Sequence, residues 1–140
     1  MKKIIPLVML TLVCFACCKS TKKATSEDMP LQNTKWMLIS LFQEGIPDKL
    51  PAQPFIIFDE ESNFSGNLGC NDFMGTYYQH KQKLTLSYTG STRKLCENME
   101  TERAMLKALK SDIDNFSISG PTLILLQGNQ EIMRFEASKE

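Results

Sequence analysis

The residues best suited to chemistry in this 140-residue chain are its cysteines, its one histidine and a short acidic run. Cys70 and Cys96 are the two cysteines that lie beyond the first eighteen residues. Two such thiols usually form a disulfide in an oxidising compartment, whereas in the cytosol they suggest metal binding or redox work. The compartment therefore decides how these two side chains are interpreted.

The amino terminus indicates that compartment. Met1-Lys2-Lys3 is basic, and residues 4–16 are apolar except for Pro6 and Thr11. This run is too short to span a bilayer, which needs about 20 residues, but it fits the core of a secretory signal. We therefore expect residues 1–16 to be a signal peptide and the rest of the chain to be exported.

The apolar segment ends in a small residue followed directly by Cys17 and Cys18. This ending resembles a bacterial lipoprotein box, in which the cysteine thiol is diacylated and becomes the first mature residue. Cleavage before Cys17 places Ala16 at the preferred position but puts Cys14 at an unusual one, so Cys18 stays an alternative. We predict lipidation at Cys17, or else at Cys18, and acyl chains would anchor the protein stably to a membrane.

Export predicts that Cys70 and Cys96 form a disulfide. Cys70 lies in the glycine- and asparagine-rich stretch 63–75, and Cys96 precedes the one predicted helix. The bridge would close a loop of about 26 residues and stabilise the domain by roughly 3 kcal/mol in the chain-entropy model. Repeated glycines in the stretch indicate tight turns, a bulge or a closely packed crossing of strands.

Short strands must position this bridge. In the first, 33–41, alternation places Trp36 and Leu38 on one face and Leu41 on the other. Gln43 to Pro54 is rich in proline and predicts a loop, and residues 59–62 predict a hairpin turn. The other predicted strands are 55–58, one that begins near Asn63, 73–78, 83–88, 116–119, 122–126 and 131–137.

One helix is predicted from about Asn98 to Ser111, with Asn98 as its N-cap. Glu102 interrupts its apolar face. That face is formed by Leu95, Met99, Leu106, Leu109 and Ile113.

Together these elements predict an α+β fold with a mainly antiparallel sheet of seven or eight short strands, partly closed around one helix. Residues 17–30 are polar without an apolar period and predict a flexible tether. Residues 31–140 then form one domain. The 16 basic and 16 acidic residues cancel, which leaves no electrostatic footprint for nucleic acid.

Known catalytic and metal-binding patterns are mostly missing from the sequence. His80 lies in a polar turn and no Gly-x-Ser-x-Gly elbow accompanies it, so a Ser/His/Asp hydrolase is not expected. One histidine and no Cys-x-x-Cys in the domain argue against zinc. Asp59-Glu60-Glu61 lacks the alternating ligands of a calcium loop. We expect no cofactor, and we interpret Arg93-Lys94 as a solvated pair, with lipid headgroups or an acidic partner as the alternative.

The methionines are interpreted as gap-filling core side chains in preference to soft ligands of Cu(I). They are Met37, Met74, Met99, Met105 and Met133.

Several motifs occur together in the predicted domain. They are Asn33-Thr34-Lys35-Trp36, Phe64-Ser65-Gly66 followed by Gly69-Cys70-Asn71, Phe73-Met74-Gly75-Thr76-Tyr77, the segment 92–96, and Met99 with Glu102. In this combination, residues 31–137 resemble the META/HslJ family of small bacterial envelope proteins. The resemblance implies an antiparallel sheet with one or two helices and a lipoprotein or secreted location. It also implies a link, in some members, to heat shock, antibiotic tolerance or motility, and it supplies no catalytic residue.

The leading hypothesis is a lipid-anchored envelope protein, not an enzyme, that acts in interaction or stress tolerance. We expect it on the outer membrane, facing the periplasm, with an unknown envelope protein or an apolar ligand as partner. The alternative is a binding module for a small apolar ligand or lipid, held between strands and helix. A third hypothesis is an enzyme or redox protein that uses Cys70 as a reactive thiol.

Overall fold

The computed structural model describes residues 27–47 and 49–139. The predicted signal peptide, both candidate lipidation sites at Cys17 and Cys18, and most of the predicted tether lie outside the described residues. Among the described residues, none of the helical structure has the length and hydrophobicity that a bilayer span requires.

Nine strands and one helix make up the described residues. The predicted α+β class is confirmed, and the additional strand is the two-residue strand Glu44–Gly45, inside the predicted loop of residues 43–54. The elements are β1 Trp36–Leu41, β2 Glu44–Gly45, β3 Phe55–Phe58, β4 Asn63–Asn67, β5 Asp72–His80, β6 Lys83–Ser91, α1 Glu100–Leu109, β7 Asn115–Ser119, β8 Thr122–Gln127 and β9 Gln130–Ala137.

The strands form one antiparallel sheet that curls into an incomplete ring. The order is β2-β1-β3-β4-β5-β6-β7-β8-β9. β1 also pairs with β9, so the first strand in the sequence lies beside the last. The ring is weakest between β6 and β7, where only Lys83 and Asn115 are in register. The helix connects these two strands and packs against β1 and β6, so the sheet is partly closed around it.

Large apolar side chains fill the interior of the ring. Trp36, Phe58, Phe64 and Phe135 are fully buried, and burying each such side chain contributes about 1.5–3 kcal/mol. The one polar atom of Trp36 is satisfied, since its indole N–H donates to the Leu31 carbonyl oxygen over 2.9 Å. The fold is therefore held by one compact apolar core.

Two predicted side-chain positions are wrong. A β-bulge between Leu38 and Ser40 shifts the register of β1 against β9. Leu41 therefore joins Trp36 and Leu38 in the core instead of facing away, because the bulge adds one residue to the alternation. Met74 is 61% exposed on the outer face of β5, whereas Met105 and Met133 are buried as predicted.

The helix is also rotated relative to the prediction. Leu95 is 96% exposed because it lies in an irregular segment before the helix. The N-cap is Met99, one residue later than predicted, and Asn98 accepts a hydrogen bond from the Glu100 N–H over 3.1 Å. The buried face comprises Thr101, Glu102, Met105, Ala108 and Leu109.

Gly66 lies in close contact with the backbone of the neighbouring strand β3 and with the Phe73 ring. A β-carbon at this position would overlap the carbonyl oxygen of Phe55 and the ring of Phe73. Of the three roles predicted for the glycines, close packing occurs at Gly66, although between neighbouring strands and not at a crossing. Only glycine fits there without a backbone shift.

We expect Gly66→Ala to lower the free energy of unfolding by roughly 3 kcal/mol, because the added methyl group overpacks a contact with backbone that cannot rotate away. Urea unfolding of the intact chain measures this. Gly90→Ala is the matched control, since a β-carbon there meets nothing within 4 Å. Equal stability of the two variants would contradict the proposed close packing.

The acidic run between β3 and β4 forms a hairpin turn, as predicted. One Asp59 carboxylate oxygen accepts hydrogen bonds from the N–H groups of Asn63 and Glu61 over 2.7 and 2.9 Å. The bond from the Asn63 N–H favours the charged carboxylate and lowers the pKa of Asp59. Asp114 has a lowered pKa for the same reason, with Gly128 as the main donor.

A carboxylate whose pKa is lowered by folding stabilises the protein above its unfolded-state pKa and loses that effect as the pH falls through the folded value. We therefore expect Asp59→Asn to be less stable than the unmodified chain at about pH 7, with the difference narrowing toward about pH 3. Urea unfolding across this range tests it. Asp112→Asn, an exposed change outside the turn, controls for the lost charge, and a difference that widens in acid would refute the assignment.

Candidate functional site

The structure brings together two of the residues singled out from the sequence, Cys70 and Cys96. They form a disulfide across 26 residues, with their Cα atoms 6.3 Å apart. The bridge links the loop 68–71, which joins β4 to β5, to the segment 92–99 that leads into α1. Cys70 is 7% exposed, and its sulfur is bonded to that of Cys96.

The loop 68–71 is shaped by its own backbone. The Leu68 N–H donates to the Asn71 carbonyl oxygen over 2.8 Å, and the Gly69 N–H donates to the side-chain oxygen of Asn67 over 2.8 Å. Gly69 has a φ of 106°, a backbone conformation that glycine adopts without steric cost. The loop therefore has a defined shape that directs Cys70 and Asn71 inward.

Asn71 is the most connected side chain of this region and is 1% exposed. Its amide oxygen accepts hydrogen bonds from the Thr92 hydroxyl and the Lys94 N–H, both over 2.7 Å. Its amide nitrogen donates to the Lys94 carbonyl oxygen and to a Glu102 carboxylate oxygen, both over 3.0 Å. The side chain thereby uses its full hydrogen-bonding capacity.

Glu102 completes the arrangement from the helix. Its carboxylate also accepts a hydrogen bond from the Asn71 backbone N–H over 3.0 Å, although the residue is only 6% exposed. No cationic side chain among the described residues lies within 4 Å of it. Bonds to a charged acceptor are stronger than neutral ones, and here they offset the desolvation of a buried carboxylate.

The disulfide and the hydrogen bonds of Asn71 join residues from the β4–β5 loop, the segment before the helix and the helix itself. We call these residues the Asn71 cluster. They are Cys70, Asn71, Thr92, Lys94, Cys96 and Glu102.

The polar groups of the Asn71 cluster are engaged mainly with one another. Both cysteine sulfurs are in the bridge, and both Glu102 carboxylate oxygens already accept hydrogen bonds. His80 is exposed at the end of β5, and Lys94 is exposed with its ammonium 3.9 Å from Asp72. Within residues 27–47 and 49–139, no three His, Cys, Asp or Glu residues are grouped closely enough to hold a metal ion.

The sequence analysis missed Glu102 as a member of the cluster, because a charged residue in an apolar stripe was taken as an interruption. The only sequence signal for it was the Met99 and Glu102 motif of the family resemblance. The Asn71 position was similarly marked only by its motif, since hydrogen bonds between residues 23 and 31 positions apart leave no periodic trace.

A second feature is a groove of about 220 Å³ between the β1–β2 hairpin and the beginning of α1. Phe42, at the hairpin turn, is half-buried beside it, and the Lys107 ammonium lies 5.4 Å from the centre of the Phe42 ring. The lining residues are Leu41, Phe42, Glu44, Gly45, Ile46, Pro47, Glu100, Thr101 and Ala104. The sequence analysis had assigned most of the hairpin side to a featureless loop.

Comparison with known proteins gives a matching family model and similar solved structures. A family model described as the META domain matches residues 29–140. An NMR structure of a protein from Burkholderia xenovorans is 25% identical, with a TM-score of 0.58, and the match covers 79% of this chain and 85% of that one. No curated protein matches the chain.

Two further solved structures show likeness of fold alone. An NMR structure is 24% identical over 76% of this chain and 90% of that one, with a TM-score of 0.58. A crystal structure of a DUF4847 family protein from Bacteroides vulgatus is 14% identical over 79% of this chain and 96% of that one, with a TM-score of 0.55.

We expect Glu102→Gln to lower the free energy of unfolding by about 2 kcal/mol with the disulfide intact. The new amide places a donor against the donors of Asn71 and leaves a buried group without a partner. Urea unfolding of the intact chain measures the change. Glu100→Gln, on the exposed side of the same helix turn, is the control and should change stability by less than about 0.5 kcal/mol. A similarly small effect of Glu102→Gln would show that the hydrogen bonds of the cluster contribute little.

Proposed function

The chain belongs to the META domain family, and we propose that it is a lipid-anchored protein of the cell envelope with a non-enzymatic role in interaction or stress tolerance. The observation that carries the proposal is the apolar run 4–16 followed directly by Cys17. We place the protein on the outer membrane, facing the periplasm. There it would meet its partner, an unknown envelope protein or an apolar ligand.

The disulfide supports the export step of this proposal. Bonds of this kind form and persist in oxidising compartments and are rare in the cytosol. Cys70 and Cys96 are joined in the folded domain, as an exported chain would have them. The same bond in a cytosolic protein would be unusual.

The start of the described residues supports a short distance between domain and membrane. The Asp28 carboxylate accepts a hydrogen bond from the Gly120 N–H over 2.7 Å, and the Met29 N–H donates to the Gly120 carbonyl oxygen over 3.0 Å. The chain is therefore fixed to the domain from Asp28 onward. Eleven residues from Cys17 span at most about 40 Å, so an anchored domain would stay within that distance of the lipid.

The non-enzymatic part of the proposal is supported by how the polar groups of the Asn71 cluster are used. Each is engaged in a bond that fixes the chain, and none is held beside a free nucleophile. The family to which the chain belongs is described as the META domain and a structural relative as a DUF4847 family protein, and neither description names an enzymatic activity.

A second candidate function is a binding module for a small apolar ligand or lipid. The space between sheet and helix is filled by buried side chains such as Phe64 and Met105, so an internal site is not supported. The observation that favours this candidate is the groove beside Phe42, which lies at the surface.

We expect intact mass spectrometry of the chain from its native membrane to show an amino-terminal cysteine that carries acyl chains. The mass and fragmentation spectrum will distinguish Cys17 from Cys18, because the second cut leaves a mature chain one residue shorter. Single Cys17→Ser and Cys18→Ser variants are the matched pair, and only one should release the protein from the membrane fraction. A mature chain without acyl groups would overturn the anchor.

A further inference from the structure

The groove between the β1–β2 hairpin and α1 has the composition of a binding site for a small organic cation. We propose that it binds a primary amine with an apolar body, with the ammonium beside Glu44 and Glu100 and the body against Phe42 and its apolar neighbours. This inference rests on the second candidate function and names its ligand class.

The apolar part of the groove matches a small body. Leu41, at 6% exposure, belongs to its floor, and Ile46 and Ala104 are half-buried on its two sides. A volume of about 220 Å³ is below the roughly 300–1,000 Å³ typical of sites for drug-sized ligands. The occupant is therefore expected to be a single ring or a short chain.

The polar part of the groove favours a cation with N–H donors. Glu44 and Glu100 are exposed at its rim, and in the described part of the chain no lysine or arginine lies within 4 Å of either carboxylate. Thr101 is 4% exposed and lines the groove, and its hydroxyl forms no hydrogen bond to another described residue. Carboxylate and hydroxyl oxygens of this kind are acceptors for the N–H donors of an ammonium group.

The helix gives the groove a direction. Lys107 follows Glu100 by seven residues, a rise of about 10 Å along the helix axis. Its ammonium lies over the Phe42 ring, so positive charge is present at that end. At the other end, the two carboxylates of Glu44 and Glu100 outweigh the partial positive charge of about +0.5 at the helix N-terminus. A ligand cation is therefore directed toward Glu100 and away from Lys107.

The hairpin turn that presents Phe42 is strained. Phe42 and Gln43 have φ values of 51° and 68°, whereas two-residue turns with this backbone normally carry asparagine, aspartate or glycine. The Phe42 N–H donates to the Ile132 carbonyl oxygen over 2.8 Å, which helps to hold the turn. Strained residues cluster at ligand sites. Here the strained turn holds the Phe42 ring beside the groove.

The test uses the intact chain with labelled methyl groups, followed by NMR during titration with benzylammonium. We expect shifts concentrated at the methyl groups of Leu41, Ile46, Thr101 and Ala104, with a dissociation constant on the order of 1 mM. Benzyl alcohol, the neutral compound of the same shape, should bind at least about threefold more weakly.

The matched variants separate charge from shape. Glu44→Gln/Glu100→Gln should weaken benzylammonium binding about 3- to 10-fold. Glu61→Gln/Glu136→Gln removes the same charge from exposed positions away from the groove, and it should leave binding unchanged. Equal binding of both compounds, or no effect of the first double variant, would overturn the cation site while leaving a groove for apolar ligands. Chemical-shift changes only at other residues, or no changes with either compound, would overturn both the cation site and the groove as a ligand site.

Discussion

The buried amide of Asn71 is the interaction on which the rest of this region depends. The curled sheet is nearly unpaired between β6 and β7, and the chain between these strands must be held in place by other means. Asn71 does this by binding the backbone of Lys94 on one side and the carboxylate of Glu102 on the other. If the amide were removed, several buried polar groups would lose their partners together, which is far more destabilising than the loss of one exposed bond.

The disulfide and the amide act on the same two segments in different ways. The bond between Cys70 and Cys96 limits how far the unfolded chain can separate. The hydrogen bonds of Asn71 select one geometry in the folded chain, because each requires a defined direction. The segment before α1 is thus held covalently and oriented by hydrogen bonds. It fixes the rotation of α1 about its axis and so determines which helix residues line the groove.

Local patterns predicted most of the fold. Alternation identified the later strands almost to their ends, and export combined with two cysteines was enough to predict the bridge. The failures have physical reasons. The bulge in β1 turned the Leu41 side chain from the outer face to the core. The bulge contains no glycine, so the local sequence gave no signal for it. The helix face was misjudged because Glu102 is buried through bonds to Asn71, 31 residues away. The groove forms where two segments about 55 residues apart in the chain meet. Local sequence patterns do not show such a contact.

The pairing of β1 with β9 has a consequence for how the domain comes to exist. Trp36 is in register with Ala137, so the first strand of the ring finds one of its neighbours in the last. Contacts between such distant positions form slowly, since a long stretch must be brought together before any gain is realised. In the proposed export, the chain would leave the translocation channel amino terminus first and would expose β1 long before β9. Until the carboxyl-terminal hairpin followed, Trp36 and its apolar neighbours would stay uncovered on that side, and an exported chain would be most exposed to aggregation during that interval.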